Sequence, residues 1–226
     1  MTYAELHLHT NYSFQEGASS IGEMVRKAAS LGYQALAVTD HDNLCGAVEF
    51  AEACHDAGIQ PIVGCEVTLS GGYHITLLAE TRRGYGNLCW LISQAYREDR
   101  RKPALDLTLL EGHTEGLIAL SGCRQGEVPS LLYKRCFIEA GNIVSHYCDL
   151  FGEGNYFLEL QQHFVQGDTQ RNRGLVNLAR ELGVGVVATN NVHYHVRERH
   201  RLQDCLVAIK NNTSLEDSHR ERRPNS

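Results

Sequence analysis

The chain has 226 residues, 42% of them apolar and 21% charged, a balance that fits an ordinary globular domain and excludes collagen-like, linker and disordered classes. Its 21 Lys and Arg against 27 Asp and Glu give a net charge of −6, so there is no global basic field for nonspecific nucleic-acid binding. Any contact with DNA has to be local, or made by a part of the protein beyond these residues.

In chain order, residues 4–8 form a short apolar run that predicts a first strand. Residues 20–31 predict a helix, with Ser20 and Glu23 at capping-box spacing and Gly32 just past the end. A strand over 35–39 and a helix over 47–57, closed by Gly58, come next. Strands over 61–69 and 74–79 are followed by a helix over 87–96, a strand over 116–120 and a long helix over 129–151. A strand over 156–160, a helix over 169–182 ending at Gly183 and a strand over 184–189 complete the pattern. Seven strands alternating with helices imply parallel βαβ units and an α/β fold. A barrel like the (β/α)8 fold, irregular in build, is expected, with an open doubly wound sheet as the competing arrangement. After residue 195 the composition turns basic and polar. Arg197, Arg199, His200 and Arg201 lead into a helix-like 202–210 and a polar tail over 211–226, so the domain is expected to span 1–195 and the chain to be a piece of something longer.

The start MTYAELHLHT has no basic segment leading into an apolar run, and no stretch approaches the roughly 18 apolar residues of a membrane span. A cytoplasmic protein without a membrane partner is expected. Cys45, Cys54, Cys65, Cys89, Cys123, Cys136, Cys148 and Cys205 include no CxxC pair and read as reduced thiols.

Potential metal donors recur beside strand ends. His7 and His9 are two apart, so they leave one face of a strand and can grip one ion. Glu16 adds an oxygen just beyond. The second strand runs into Asp40, His41 and Asp42, the third into Glu66, and the last into Asn191 and His193. His74 opens the fourth strand and Cys123 follows the fifth; taken singly, each reads as an ordinary buried residue. In a parallel barrel such ends converge at one mouth. A donor set rich in imidazole, with a carboxylate and a thiol, suits Zn²⁺ or Mn²⁺ better than a Ca²⁺ or Mg²⁺ cage. About nine donors are too many for one ion, and clustered divalent ions hydrolyse phosphoesters by lowering the pKa of bound water and neutralising phosphoryl charge. Asp40 and Asp42 read as groups orienting His41, or as loop caps. The run Arg97, Arg100, Arg101, Lys102 reads first as a solvated loop and second as a DNA-backbone contact. His163, His195 and His200 carry less weight.

The ordered segments LHLHTNYSFQEGAS, LAVTDHDNLCG, GCEV, YHITLLAE, LIALSGCRQGEV, YFLELQ and VATNNVHY resemble the PHP (polymerase and histidinol phosphatase) domain family over nearly the whole chain. They are most similar to its members at the N-terminus of bacterial C-family DNA polymerases, the DNA polymerase III alpha subunits, and HYHVRERHRLQDCLVAIKN leans toward the error-prone branch. The resemblance implies an irregular (β/α)7 TIM-like barrel holding up to three ions, zinc or manganese first and iron also compatible. It implies His7, His9 and Asn191 at the first ion, Glu66 as bridge, His74 and Cys123 at the second, and Glu16, His41 and His193 at the third. His9, Glu66, His41 and His193 are the implied catalytic positions. Asn191 stands where the family usually has Asp, and its neutral amide is a weaker ligand.

The implied function is a metal-dependent phosphoesterase, a 3′ to 5′ exonuclease module acting on DNA 3′ ends, with the remaining polymerase domains of a parent chain as partner. Two alternatives accompany it: a barrel kept to brace the polymerase after catalysis is lost, which Asn191 favours, and a free-standing phosphatase of a small metabolite such as histidinol phosphate. Polymerisation itself needs a carboxylate palm that these residues do not supply.

Overall fold

The computed structural model describes residues 3–220 and residue 222. The remainder of the expected polar tail, residues 221 and 223–226, lies outside the described residues. Among the described residues are six strands and seven α-helices, an α/β fold. They divide into two compact units, one made of Met1–Val63 with Asn190–Ser226 and the other of Gly64–Thr189.

The first unit contains α1 (Ile21–Ser30), β1 (Ala35–Val38), α2 (Ala47–Asp56), the first residues of β2 (Gln60–Thr68) and, near the end of the chain, α7 (His200–Lys210). Its core follows from helical spacing: Ile21, Met24, Val25 and Ala28 of α1 pack with Leu8, Leu36, Val38, Phe50, Cys54 and Ile59. The expected capping box is present, with the Ser20 amide donating to the Glu23 carboxylate at 2.9 Å. Gly32, at φ +76°, ends the helix as expected. β1 pairs in parallel with Gln60–Val63.

The expected first strand over 4–8 is not regular, because side chains take amides that a ladder would use. Glu5 Oε1 accepts from the His7 amide at 3.0 Å and Thr39 Oγ1 from the Leu8 amide at 2.9 Å. Isolated bridges remain, Glu5 to Leu36 and Leu8 to Val192, and they lay residues 5–9 between β1 and the 190–193 segment.

The second unit contains the rest of β2, β3 (His74–Ala79), α3 (Arg82–Ala95), β4 (Leu117–Leu120), α4 (Glu127–Tyr133), α5 (Phe137–Phe151), β5 (Tyr156–Gln161), α6 (Asp168–Leu182) and β6 (Gly185–Thr189). β4, β5 and β6 pair in parallel as expected, but β3 is antiparallel to both β2 and β4. For β2 and β3 the reason is length: Leu69 to Tyr73 close a tight turn through two backbone bonds, and a crossover cannot be made with so few residues. The expected single helix over 129–151 is two. α4 stops in a Schellman arrangement, the Cys136 amide donating to the Leu131 carbonyl and the Arg135 amide to that of Leu132, with Arg135 at φ +61°. An arginine in the position that glycine favours hides this break from sequence reading. No disulfide joins any of the eight cysteines, and no helix of the described residues is long and apolar enough to cross a membrane.

Candidate metal-ligand clusters

In the first unit, the bridged segment 5–9, the end of β1 and the 190–193 segment bring three histidines around His9. Its ring stacks on His193 with centroids 4.4 Å apart and lies 5.2 Å from His7 and 6.4 Å from His41. His7, His9 and His193 are buried. Neutral imidazole is the form that ligates a metal ion.

One hydroxyl sets which nitrogen of His9 carries the proton. Ser13 Oγ donates to Asp40 Oδ1 at 2.6 Å and accepts from the His41 amide at 3.0 Å. Having spent its only hydrogen on Asp40, it can only accept at the 2.9 Å contact with His9 Nδ1. His9 is therefore protonated at Nδ1 and presents its lone pair at Nε2, the arrangement that an outer partner gives a metal-ligating histidine. Asp40 also accepts from the Thr10 amide and hydroxyl, both at 2.7 Å. Burial raises its carboxyl above the ordinary range, and these hydrogen bonds oppose the shift. Ser13 is the member of this cluster that the sequence reading missed. It lies in a loop of polar residues, and nothing in the residue type marks it.

Asp42, at φ +54°, places Oδ2 3.4 Å from His41 Nε2, so it is this aspartate that faces the His41 ring. Asn191 is also left-handed, at φ +46°, and its Oδ1 lies 2.9 Å from His193 Nε2, while His193 Nδ1 lies 3.3 Å from the Glu16 carbonyl. Glu16 thus meets the cluster through its main chain, and its carboxylate pairs with Lys210 of α7.

In the second unit Glu66 of β2, His74 of β3 and Cys123 after β4 come together. Glu66 Oε1 lies 3.4 Å from His74 Nδ1, and Cys123 Sγ lies 3.9 Å from the same nitrogen. Burial and then the Glu66 carboxylate push the Cys123 thiol well above its ordinary range, so a bound cation would have to displace its proton. Glu159 of β5, unassigned in the sequence reading, is a further buried carboxylate here, accepting from Gln161 Nε2 at 2.8 Å and from the Thr189 hydroxyl. Two glycines build the Cys123 loop. Gly122 has φ +81°, and a Cβ on it would lie 2.4 Å from the His74 carbonyl oxygen. Gly122→Ala is therefore expected to cost about 3 kcal/mol and lower the thermal midpoint by about 6–12 °C in calorimetry.

Both donor sets fit divalent cations by their chemistry: buried imidazoles, one with a fixed tautomer, in the first unit, and carboxylate, imidazole and thiol in the second.

Residues 5–163 match the PHP domain family. The chain is 41% identical over 239 residues to an error-prone DNA polymerase of Symbiobacterium thermophilum, covering 98% of this chain and 22% of that one. It is 40% identical over 235 residues to the DNA polymerase III subunit alpha of Treponema pallidum, covering 97% and 20%. It thus spans about a fifth of the length of these relatives. Among solved structures, a Bifidobacterium adolescentis protein assigned as a metal-dependent phosphoesterase aligns with a TM-score of 0.57 at 13% identity, over 91% of this chain and 96% of that one. The lesion-specific endonuclease Q of Pyrococcus furiosus aligns with a TM-score of 0.53 at 16% identity, over 88% and 49%. At such identities the likeness speaks for the fold.

Proposed function

The chain belongs to the PHP domain family, and from that premise we propose that it is the metal-dependent phosphoesterase module of a bacterial DNA polymerase III alpha-type chain of the error-prone branch. Its substrate in this reading is the phosphodiester at a DNA 3′ end, giving a 3′ to 5′ exonuclease in the cytoplasm. Residues 1–195 form the catalytic barrel, an irregular (β/α)7 closure, and 196–226 lead toward the polymerase domains, where synthesis resides. In this reading His7, His9 and Asn191 would hold a first ion, His74 and Cys123 a second, and Glu16, His41 and His193 a third, with Glu66 as a shared carboxylate. Zinc is the first choice because of the thiol, with manganese second and iron compatible.

The observation that carries this reading is the Ser13 hydroxyl, set between Asp40 and His9 Nδ1 so that Nε2 is the His9 nitrogen turned to the buried group of histidines. Bound divalent ions supply an activated water and neutralise charge on the phosphoryl oxygens. His41 and His193 keep their positions through the Ser13 hydroxyl and the Glu16 carbonyl, and Cys123 would have to give up its proton to serve as a ligand. The test is elemental mass spectrometry on the purified chain beside hydrolysis assays with zinc, manganese and iron, comparing a 3′-labelled oligonucleotide with a small phosphomonoester. Two or three ions per chain with release of nucleotides supports the reading. Absence of metal and of turnover refutes it, and preference for the monoester points to the metabolite phosphatase.

Asn191 favours a second reading, a barrel retained to brace the polymerase. Asparagine and aspartate both tolerate the left-handed backbone at this position, so Asn191→Asp changes the donor with little strain. If the amide is the only defect, that variant gains metal and hydrolysis by about 10–100-fold, the range over which ligand-shell changes act. Unchanged inactivity sinks the single-defect account.

A further inference from the structure

The second unit displays an aromatic ring that its own core does not use. Phe164 is 91% exposed and holds a left-handed backbone, φ +57°, which a bulky residue adopts only at a cost. The loop holding it is built rather than slack. The buried Asp168 carboxylate accepts from the amides on either side of Phe164, His163 at 2.9 Å and Val165 at 3.2 Å, and from Arg171 Nη2 at 2.9 Å. Arg124 Nη2 reaches the Gln166 carbonyl at 3.4 Å and lies 3.8 Å from Asp168 Oδ1, an ion pair that leaves the Arg124 side chain 43% exposed. Arg124 directly follows Cys123, whose sulfur lies beside His74 and Glu66. The exposed ring thus stands two residues from the carbonyl that Arg124 holds, and Arg124 is the residue next to the candidate ligand Cys123.

We propose that Phe164 is a stacking platform for an unpaired nucleobase and that Arg124 binds the adjoining phosphate, so that this unit takes the end of a single nucleic-acid strand. Every base has a π face that a phenyl ring can cover, and an arginine beside it neutralises the phosphate of the same nucleotide or the next. The inference rests on the phosphoesterase reading of the neighbouring residues and narrows its substrate class: a small phosphomonoester has no base to offer the ring. It also accounts for the strained backbone, since the loop holds the ring outward where an apolar residue would otherwise fold back.

The probe is an oligothymidylate with 2-aminopurine at its 3′ end, titrated into the 226-residue chain in EDTA so that hydrolysis plays no part. Binding should quench the 2-aminopurine fluorescence. Phe164→Ala should abolish the quench and weaken binding by about 5–150-fold, the equivalent of ~1–3 kcal/mol per stacked base. Phe164→Trp should retain both signals, and Phe164→Leu, apolar without a π face, should behave like the alanine variant. Arg124→Gln should lower the slope of log affinity against log salt by about 0.7. Because Phe164 is exposed, an unchanged circular dichroism melt for its variants separates loss of stacking from loss of fold. The proposal is overturned if the wild type does not bind or quench, if Phe164→Ala binds within twofold of the wild type, or if Phe164→Leu matches it. This binding is read without metal, so a failed metal assay would remove the phosphoesterase reading and leave the stacking result standing.

Discussion

Ser13→Ala should weaken divalent-metal binding by about 10–100-fold and lower the thermal midpoint by about 6–16 °C, an outsized effect for the loss of one oxygen. The hydroxyl has three partners at once: Asp40 at 2.6 Å, His9 at 2.9 Å and the His41 amide at 3.0 Å. Alanine leaves a buried carboxylate short of one donor and two N–H groups short of their acceptor. At about 1–3 kcal/mol for each buried group left unmade, with the others relaxing in part, a loss of ~3–4 kcal/mol follows. The metal effect has a separate cause. Without Ser13 to accept from Nδ1, His9 is free to carry its proton on Nε2 instead, which closes the lone pair to an ion. Titration calorimetry with zinc and a thermal melt read the two effects. Ser13→Thr, which keeps the hydroxyl, should recover much of the affinity, whereas a Ser13→Ala protein binding zinc as tightly as the wild type would disprove the assignment of the tautomer.

Asp168→Asn should cost about 3–5 kcal/mol, or roughly 6–20 °C of thermal midpoint, because it breaks a buried charge pair and leaves Arg171 facing a neutral amide. Burial alone would raise this carboxyl, but the His163 and Val165 amides and Arg171 outweigh it and hold the group below its ordinary range. The folded state therefore binds the proton more weakly than the unfolded chain does. The stabilisation is complete above the unfolded value of about 3.9 and is lost as pH falls through the lower folded value. Wild-type stability should consequently fall more steeply below about pH 4 than that of Asp168→Asn, as measured by urea unfolding at a series of pH values. Parallel acid limbs for the two proteins would count against the ion pair as the source.

What could be read from the residues divides along a physical line. Helix ends marked by Gly32, Gly58 and Gly183 all fall where expected, because a missing Cβ makes the left-handed exit cheap. The exit at Arg135 went unseen because tertiary packing imposes it on a residue with no such preference. Strands whose ladders are purely backbone, such as β5 and β6, match their apolar runs closely. The 4–8 run looks the same on paper yet is interrupted, since Glu5 and Thr39 compete for its amides from outside any local window. The antiparallel placement of β3 is written in a connection too short to cross over, a constraint that the strand–helix alternation elsewhere in the chain masks. At the candidate centre, His7, His9, His41, His193 and the group of Glu66, His74 and Cys123 were legible because their chemistry is distinctive. Ser13 and Glu159 were not, the first because serine is ordinary in a loop and the second because a lone Glu within a strand gives no hint of its burial.

The first unit is assembled from the two arms of the chain, with Leu8 bridged to Val192 and His9 stacked on His193. During synthesis this has a temporal consequence. At ~5–20 residues per second, the N-terminal arm leaves the ribosome on the order of ten seconds or more before its partner segment exists. Over that interval Gly64–Thr189, whose strands pair among neighbours in sequence, is already complete, while His7 and His9 lack their partner segment. Closing a loop of such sequence separation is the entropically expensive step and sets it late. The histidine cluster thus cannot form before Asn190–His193 is made, and a ribosome stalled before Asn190 would carry a chain with its candidate first-ion ligands unassembled.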